Sequence, residues 1–386
     1  MKSSWWRSKD EMDEDQTNFI TLPPKGRYAL IGPPGSGKTN LLLLRALYTA
    51  GTGEKNVLIL TYTKSLADFI RTGIGSSGLI TIDQVKTFHS WACSHILEHL
   101  GERAVSAGTD FDDNSRQLLL EMLKESNSRL PGKKIYSAIF VDEAQDLTFD
   151  ELNALLCLSD NVCICGDENQ GIYRRDGLSA IDKLGLTPHY LHRHFRIGQR
   201  IARVADRLCP NDNKSNGLEA TSNYNPKTQG ESSAKLIVCK DIEEQFSSMY
   251  KILEIQLDAF KDDNIGIFCG KKESLLELKT MFLATELSYL VAVHGIDDNS
   301  GFYSDKRIHI MTIHSSKGTE FRAVHIFKAE ELSEYPMNRT RISYTAVTRA
   351  RTALNIYRSG ETNRNLENAM SEPKVFNVDD LFSGGL

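Results

Sequence analysis

Gly32-Pro33-Pro34-Gly35-Ser36-Gly37-Lys38-Thr39 is the stretch that decides the fold. It fits the pattern G-x-x-x-x-G-K-[ST], whose glycines let backbone N–H groups cradle phosphates. An apolar run at 28–31 precedes it and a helix-like apolar run at 41–47 follows, so the expected context is strand, loop, helix. The amides of Gly32, Pro33, Pro34, Gly35, Ser36 and Gly37 that carry hydrogens, with the helix N-terminus behind them, suit an anion; Lys38 adds a mobile cation. The Thr39 hydroxyl suits Mg²⁺. A second stretch, Val141-Asp142-Glu143-Ala144-Gln145-Asp146, closes another apolar run at 138–141. Its carboxylates are thereby expected at a strand's C-terminal edge, facing the same phosphates. Asp142 is the expected outer ligand of Mg²⁺, and Glu143 the base that orients an attacking water. A glycine turn and an acidic surface loop are the bland alternatives. The two stretches in this order, each after a strand, imply that a nucleoside triphosphate is bound and hydrolysed.

Composition sets bounds around that core. The 386 residues suffice for two ordinary domains. A net charge of −5 advertises no overall basic field, although Arg193, His194, Arg196, Arg200, Arg203 and Arg207 make a local one. Seven cysteines form no C-x-x-C pair, and Cys163 and Cys165 alternate inside an apolar strand, so free thiols in a reducing cytoplasm are expected. No apolar run approaches membrane-spanning length, and residues 1–15 lack a signal-peptide centre. No membrane partner is expected.

Strand-like runs alternate with helix-like ones, the mark of parallel sheets covered by helices. In the first half the strands are expected at 28–31, 57–60, 80–85, 138–141 and 162–165, and polar clusters follow their carboxyl ends, where ligands of such sheets gather. Residues 91–134 read as a small helical insertion. A second series is expected from about Pro188, with strands at 190–191, 235–239, 265–269, 308–313, 323–327 and 354–357. The polar stretch 211–233 reads as a loop.

The polar clusters, taken in order, resemble one family: the chain is similar to UvrD/Rep/PcrA-type superfamily 1 helicases from about Gln16 to Tyr357. The resemblance implies two RecA-like P-loop NTPase domains of α/β class, with residues 1–188 as the ATP-binding domain, 189–370 as the second and 371–386 as an acidic tail. It implies that Gln16 reads adenine. Leu60-Thr61-Tyr62-Thr63-Lys64 and Thr87-Phe88-His89-Ser90 match segments that contact single-stranded DNA, which marks Thr61, Thr63, Lys64, Thr87, Phe88 and His89. Gly166-Asp167-Glu168-Asn169-Gln170-Gly171-Ile172-Tyr173 matches the motif that links the γ-phosphate to the strand, with Gln170 as the coupling residue and Tyr173 on the strand. Phe195-Arg196 stands where the family reads Tyr-Arg, which puts Arg196 on the γ-phosphate. Thr312-Ile313-His314-Ser315-Ser316-Lys317-Gly318-Thr319-Glu320-Phe321 implies strand contacts from Thr312 and His314 and a nucleotide-sugar contact from Glu320. Tyr344-Thr345-Ala346-Val347-Thr348-Arg349-Ala350-Arg351 implies Arg349 as the arginine finger.

Two departures shape the functional expectation. After Tyr173 the family carries an aromatic and an Arg; here Arg174-Arg175-Asp176-Gly177 puts Arg175 in the aromatic place, where it can still stack on a base, and Asp176 in the Arg place. The intervals Lys38–Asp142 and Arg196–Thr312 are short, where strong duplex-unwinding members carry large insertions. The expected function is an ATP- and Mg²⁺-dependent motor on single-stranded DNA, RNA remaining open, with the 3′-to-5′ direction implied by the family. One rival is a strand-stimulated ATPase that unwinds weakly alone and works with a nuclease or loading partner, as in anti-phage complexes. Another is an ATP-gated interaction switch. The stretch 375–386 is weighed as a peptide that docks on a partner against a frayed terminus.

Overall fold

The computed structural model describes residues 12–74, 78–104, 113–132, 134–167, 178, 181–210, 217–297 and 306–371. Its first half runs α1 (Glu14–Ile20), β1 (Arg27–Ile31), α2 (Lys38–Gly51), β2 (Val57–Thr61), α3 (Lys64–Ile74), β3 (Val85–Thr87), α4 (Phe88–Leu100), α5 (Asp113–Ser128), β4 (Ala138–Val141), α6 (Phe149–Leu156), β5 (Val162–Gly166) and β6 (Thr187–Tyr190). The second half runs α7 (Gln199–Leu208), α8 (Pro226–Gln229), β7 (Ser233–Val238), α9 (Ile242–Ala259), β8 (Ile265–Cys269), α10 (Lys272–Leu283), β9 (Val291–Val293), β10 (Ile308–Thr312), β11 (Phe321–Ile326), α11 (Thr340–Val347), β12 (Ala350–Arg358) and α12 (Arg364–Met370).

Each half is built on one six-stranded sheet, ordered β3-β2-β4-β5-β1-β6 and β7-β12-β11-β8-β10-β9. Every neighbouring pair is parallel. Helices cover both faces, which is why β2, β4, β5, β8 and β10 are buried at every position and read as continuous apolar runs. Alternation still sorts the faces: Ala29 and Ile31 of β1 join one core cluster, Leu30 between them joins the other. These are two RecA-like α/β units.

Several expectations needed correction. The strand expected at 190–191 as the opening of the second series is β6, and it pairs with β1 at the edge of the first sheet; the boundary at 188 runs through it. Pro188 is tolerated there because an edge strand has one side free of ladder bonds. The strand expected at 80–85 shrinks to β3, because Thr81 and Gln84 form a reciprocal cap that winds Ile82–Gln84 into a 3-10 turn. The three-residue β9 was not expected. The insertion starts as α4 at Phe88 and continues in α5, and the polar stretch 211–233 holds the short α8 and the start of β7. Among the described residues no helix is long and apolar enough to cross a membrane.

Candidate functional site

The site is built on the first sheet's carboxyl edge. β1 ends at Ile31 and the chain turns through Gly35 (φ 77°) and Gly37 (φ 88°), backbone that side chains rarely adopt. Gly37 caps α2 with no side-chain bond, so the first amides of a 14-residue helix point out unsatisfied. Lys38 Nζ donates to the carbonyls of Gly32 (2.9 Å) and Pro33 (2.8 Å), folded back over its own loop. Gln16, buried on α1, donates from Nε2 to the Ser36 carbonyl at 2.8 Å and so braces the loop.

Across β5, two strands from β1, β4 delivers the acidic stretch. Thr39 Oγ1 donates to Asp142 Oδ2 at 2.7 Å. A hydroxyl and a carboxylate oxygen converging beside a phosphate loop fit Mg²⁺, which takes few protein oxygens and completes its shell from phosphate and water. Asp142 also accepts from the Glu143 amide (2.9 Å) and the Cys165 thiol (2.9 Å). Burial, then the neighbouring Glu143 charge, pushes the Asp142 carboxyl up to about 6 against those hydrogen bonds. Glu143 sits at φ 56°, a left-handed conformation unusual for a side chain. Its carboxylate accepts from the Gln145 amide. Burial alone would raise its pKa, but Lys317, Arg349 and Lys38 together hold it below the usual carboxylate range.

Two of those three cations come from the second half. Glu320 and Arg349 immediately precede β11 and β12, whose starts are paired Phe321 to Ala350, so parallel register sets the two side by side. Arg349 is buried and donates to the carbonyls of Thr345 and Thr319 (both 3.2 Å), with Glu143 and Asp167 favouring its charge against burial. Arg196 pairs with Glu320. The cleft between the halves is lined by Gln16, Gly35 and Thr39 on one side and Phe195, Arg196 and Glu320 on the other. The loop and the second half touch directly: the Phe195 amide donates to the Gly35 carbonyl at 3.2 Å, and a Cβ on Gly35 would meet Arg196 at 3.1 Å.

The residues expected to grip a strand fare unevenly. Thr63 Oγ1 donates to the Lys317 carbonyl at 3.4 Å, so this segment bridges the halves. Lys64 is exposed at the start of α3. Thr87 caps α4 by accepting from the Ser90 amide (3.2 Å), and Phe88 turns into the core against Trp91, leaving little ring for a ligand. Thr61 is buried, and His89 contacts the Cys93 thiol at 3.6 Å. Thr312 Oγ1 bonds the Ser315 hydroxyl (2.9 Å), and burial lowers the His314 pKa. Gln170, Tyr173 and Arg175 lie outside the described residues, as does the stretch 375–386. Among the described residues no group of three or more His, Cys, Asp or Glu side chains forms a metal cluster.

Sequence reasoning passed over Gln145, Asp146, Lys317 and Arg116. The first three stand inside stretches already quoted, and their type was the available signal. Arg116 carried none.

Comparison with known proteins agrees with both halves. Residues 16–176 match the family model described as an AAA domain, and residues 307–357 that of the UvrD-like helicase C-terminal domain. The chain carries a segment similar to the UvrD-like helicase C-terminal domain. A protein of Acanthamoeba polyphaga mimivirus named "Putative ATP-dependent DNA helicase" is 25% identical over 351 residues, 82% of this chain and 48% of its own length. The Gallus gallus protein named F-box DNA helicase 1 is 39% identical over 89 residues, 22% of this chain and 8% of its own. The chain thus spans about half or less of the length of these curated relatives. A solved C-terminal domain of a possible DNA helicase from Lactobacillus plantarum is 15% identical, covering 46% of this chain and 94% of its own at a TM-score of 0.34, a likeness too distant to bear on function.

Proposed function

We propose that this chain is an ATP-driven motor that moves along single-stranded DNA in the 3′-to-5′ direction. One observation carries the reading: Lys38, Asp142 and Glu143 of the first half converge with Lys317 and Arg349 of the second around one site, where Asp142, Lys317 and Arg349 are buried. The phosphate loop and Lys38 would hold the β- and γ-phosphates, with Gln16 and Phe195 at the base and Glu320 at the sugar. Thr39 and Asp142 would hold Mg²⁺, which when bound neutralises phosphate charge. Glu143, kept ionised by its cations, accepts the proton of the attacking water, while Arg196 and Arg349 meet the charge that spreads over the transferring phosphoryl group. Closure of the cleft on nucleotide and reopening after hydrolysis would ratchet a strand held across both halves through Thr63, Lys64 and His314. The domain division follows at about residue 190.

Steady-state ATP turnover with and without single-stranded DNA tests this, with RNA and blunt duplex as comparisons. Strong stimulation by single-stranded DNA alone is expected; turnover indifferent to any nucleic acid sinks the motor reading and favours an ATP-gated switch. Displacement of streptavidin from the 5′ rather than the 3′ end of a biotinylated oligonucleotide tests direction.

The interval from Arg196 to Thr312 favours a second reading. Its strands β7, β8, β9 and β10 all belong to the second sheet, and α7, α9 and α10 pack on it, so among the described residues only the four-residue α8 and connecting loops remain, too little for a duplex-gripping subdomain. Energy is not the obstacle, since a base-pair step costs on the order of 1.4 kcal/mol of stacking. Geometry is: without a grip ahead and a wedge at the junction, reannealing wins. Weak unwinding by the isolated chain is therefore expected, with a nuclease or loading partner supplying the rest. Processive separation of a long duplex by this chain alone rules that out.

A further inference from the structure

Asp146 ends the acidic stretch in full burial, and two cations from different parts of the chain hold it. Lys317 Nζ of the second half lies 2.6 Å from each oxygen of its carboxylate, and Lys317 is itself 1% exposed. On the other side, Arg116 of α5 donates from Nη2 to the Asp146 carbonyl at 2.9 Å. Glu151 clasps Arg116 (Nε to Oε1, 2.5 Å) while capping α6 through the Thr148 amide (2.8 Å), and Arg116 Nη1 reaches the Tyr62 hydroxyl at 3.3 Å. The Asp146 amide in turn donates to the Glu143 carbonyl at 3.0 Å, closing the turn that holds Glu143 at positive φ.

Both cations are tied to the segments that would grip a strand. Lys317 follows His314 by three residues and its carbonyl accepts the Thr63 hydroxyl; Gly318 beside it packs so tightly that a Cβ would meet Leu66 at 2.7 Å. Tyr62, on Arg116, precedes Thr63. A buried ion pair is a poor device for stability alone, because its desolvation offsets its attraction and an apolar pair of like volume does as well or better. It is a good device for register, because small displacements of either partner leave a charge unpaired in a dry site. A strained backbone such as that of Glu143 persists only where its surroundings over-determine it.

We infer that Asp146 and Lys317 are positioning residues through which strand occupancy is coupled to hydrolysis: the pair holds the Glu143 turn in its productive geometry, with Arg116 as the fixed anchor behind it. This rests on the motor reading above. Neither residue is expected to touch nucleotide or strand.

The test compares wild type, Lys317→Met, Lys317→Arg and the double variant Lys317→Met/Asp146→Asn in ATP turnover with and without saturating single-stranded DNA, alongside ATP affinity and thermal stability. Lys317→Met is expected to lower strand-stimulated turnover about tenfold or more while ATP affinity is kept, a coupling lost rather than a site lost. Lys317→Arg restores part of the stimulation. Lys317→Met leaves a buried carboxylate unpaired and lowers stability. The double variant removes both charges, recovers the stability and still lacks stimulation. A stable double variant with wild-type stimulation overturns the inference and makes the pair a structural staple; so does loss of ATP affinity equal to the loss of turnover. Absence of stimulation in the wild type itself overturns the motor reading, and the coupling with it.

Discussion

The two halves contribute opposite charge to the same site. The first brings the phosphate loop with Lys38, the buried carboxylates Asp142 and Asp146 and the half-buried Glu143; the second brings Arg196, Lys317 and Arg349, with Glu320 paired to Arg196. Either set alone would be a cluster of like charge in a poorly solvated place. The sorting teaches where control lies. The loop of the first half suits phosphate, but two of the three cations that hold Glu143 below the usual carboxylate range arrive with the second. On the proposed reading, hydrolysis is thereby conditional on how the halves meet.

The comparison breaks first at Arg349. Arg349→Ala is expected to cut ATP turnover by about 10³-fold or more while nucleotide affinity changes little, since a finger matters most in the transition state. Arg349→Lys should recover little, because an ammonium cannot donate a planar pair. Single-turnover hydrolysis beside a nucleotide-binding titration reads both; near-normal turnover would mean that the second half does not supply the decisive charge. Next comes Glu143→Gln, which preserves size and the bond from Gln145. A loss of roughly 10²–10⁴-fold is expected with ATP still bound. Wild-type turnover there moves the base elsewhere and dissolves the acidic half of the comparison.

A smaller effect sharpens the contact between halves. A Cβ on Gly318 (φ 77°) would meet Leu66 of the first half, whereas a Cβ on Gly78 (φ 64°) would have nothing within 4 Å. Both alanine variants carry backbone strain of about 1–3 kcal/mol, and only Gly318→Ala should add a packing penalty. Urea unfolding compares them; equal losses would show that this contact yields easily.

Acid should separate the halves most gently. Burial drives His194 and His294 to about 4 and His309 and His325 to about 3, all in the second half. Unfolded histidine titrates near 6.5. The unfolded chain therefore binds more protons below that value, and this stability is whole above pH 6.5 and drains as pH falls towards 4 and 3. Asp142 and Asp146, raised by burial to about 6, work the other way, favouring the folded first half as pH falls from 6 towards 4, with Glu143 in partial opposition. Amide exchange pulsed at one fixed pH after incubation between pH 7 and 4 should lose protection first in the second half. Loss in the first half beforehand would contradict that ordering.

Much of this was legible from local sequence. Continuous apolar runs announced β2, β4, β5, β8 and β10 because strands buried on both faces have no polar side to show. The phosphate loop declared itself because its glycines answer a backbone requirement of a few neighbouring residues, Gly35 and Gly37 at positive φ. Tertiary structure alone decided the rest. β6 belongs to the first sheet because β1 offered it an edge, a choice no window around Pro188 contains. Lys317 and Asp146 stand 171 positions apart and Arg116 and Glu151 35, yet each pair is buried in contact. Hydrogen bonds along a helix or around a turn are fixed by residues a few positions away, so sequence states them. A buried charge takes whatever partner the packed sheets bring within reach, and that distance exists only once the chain has folded.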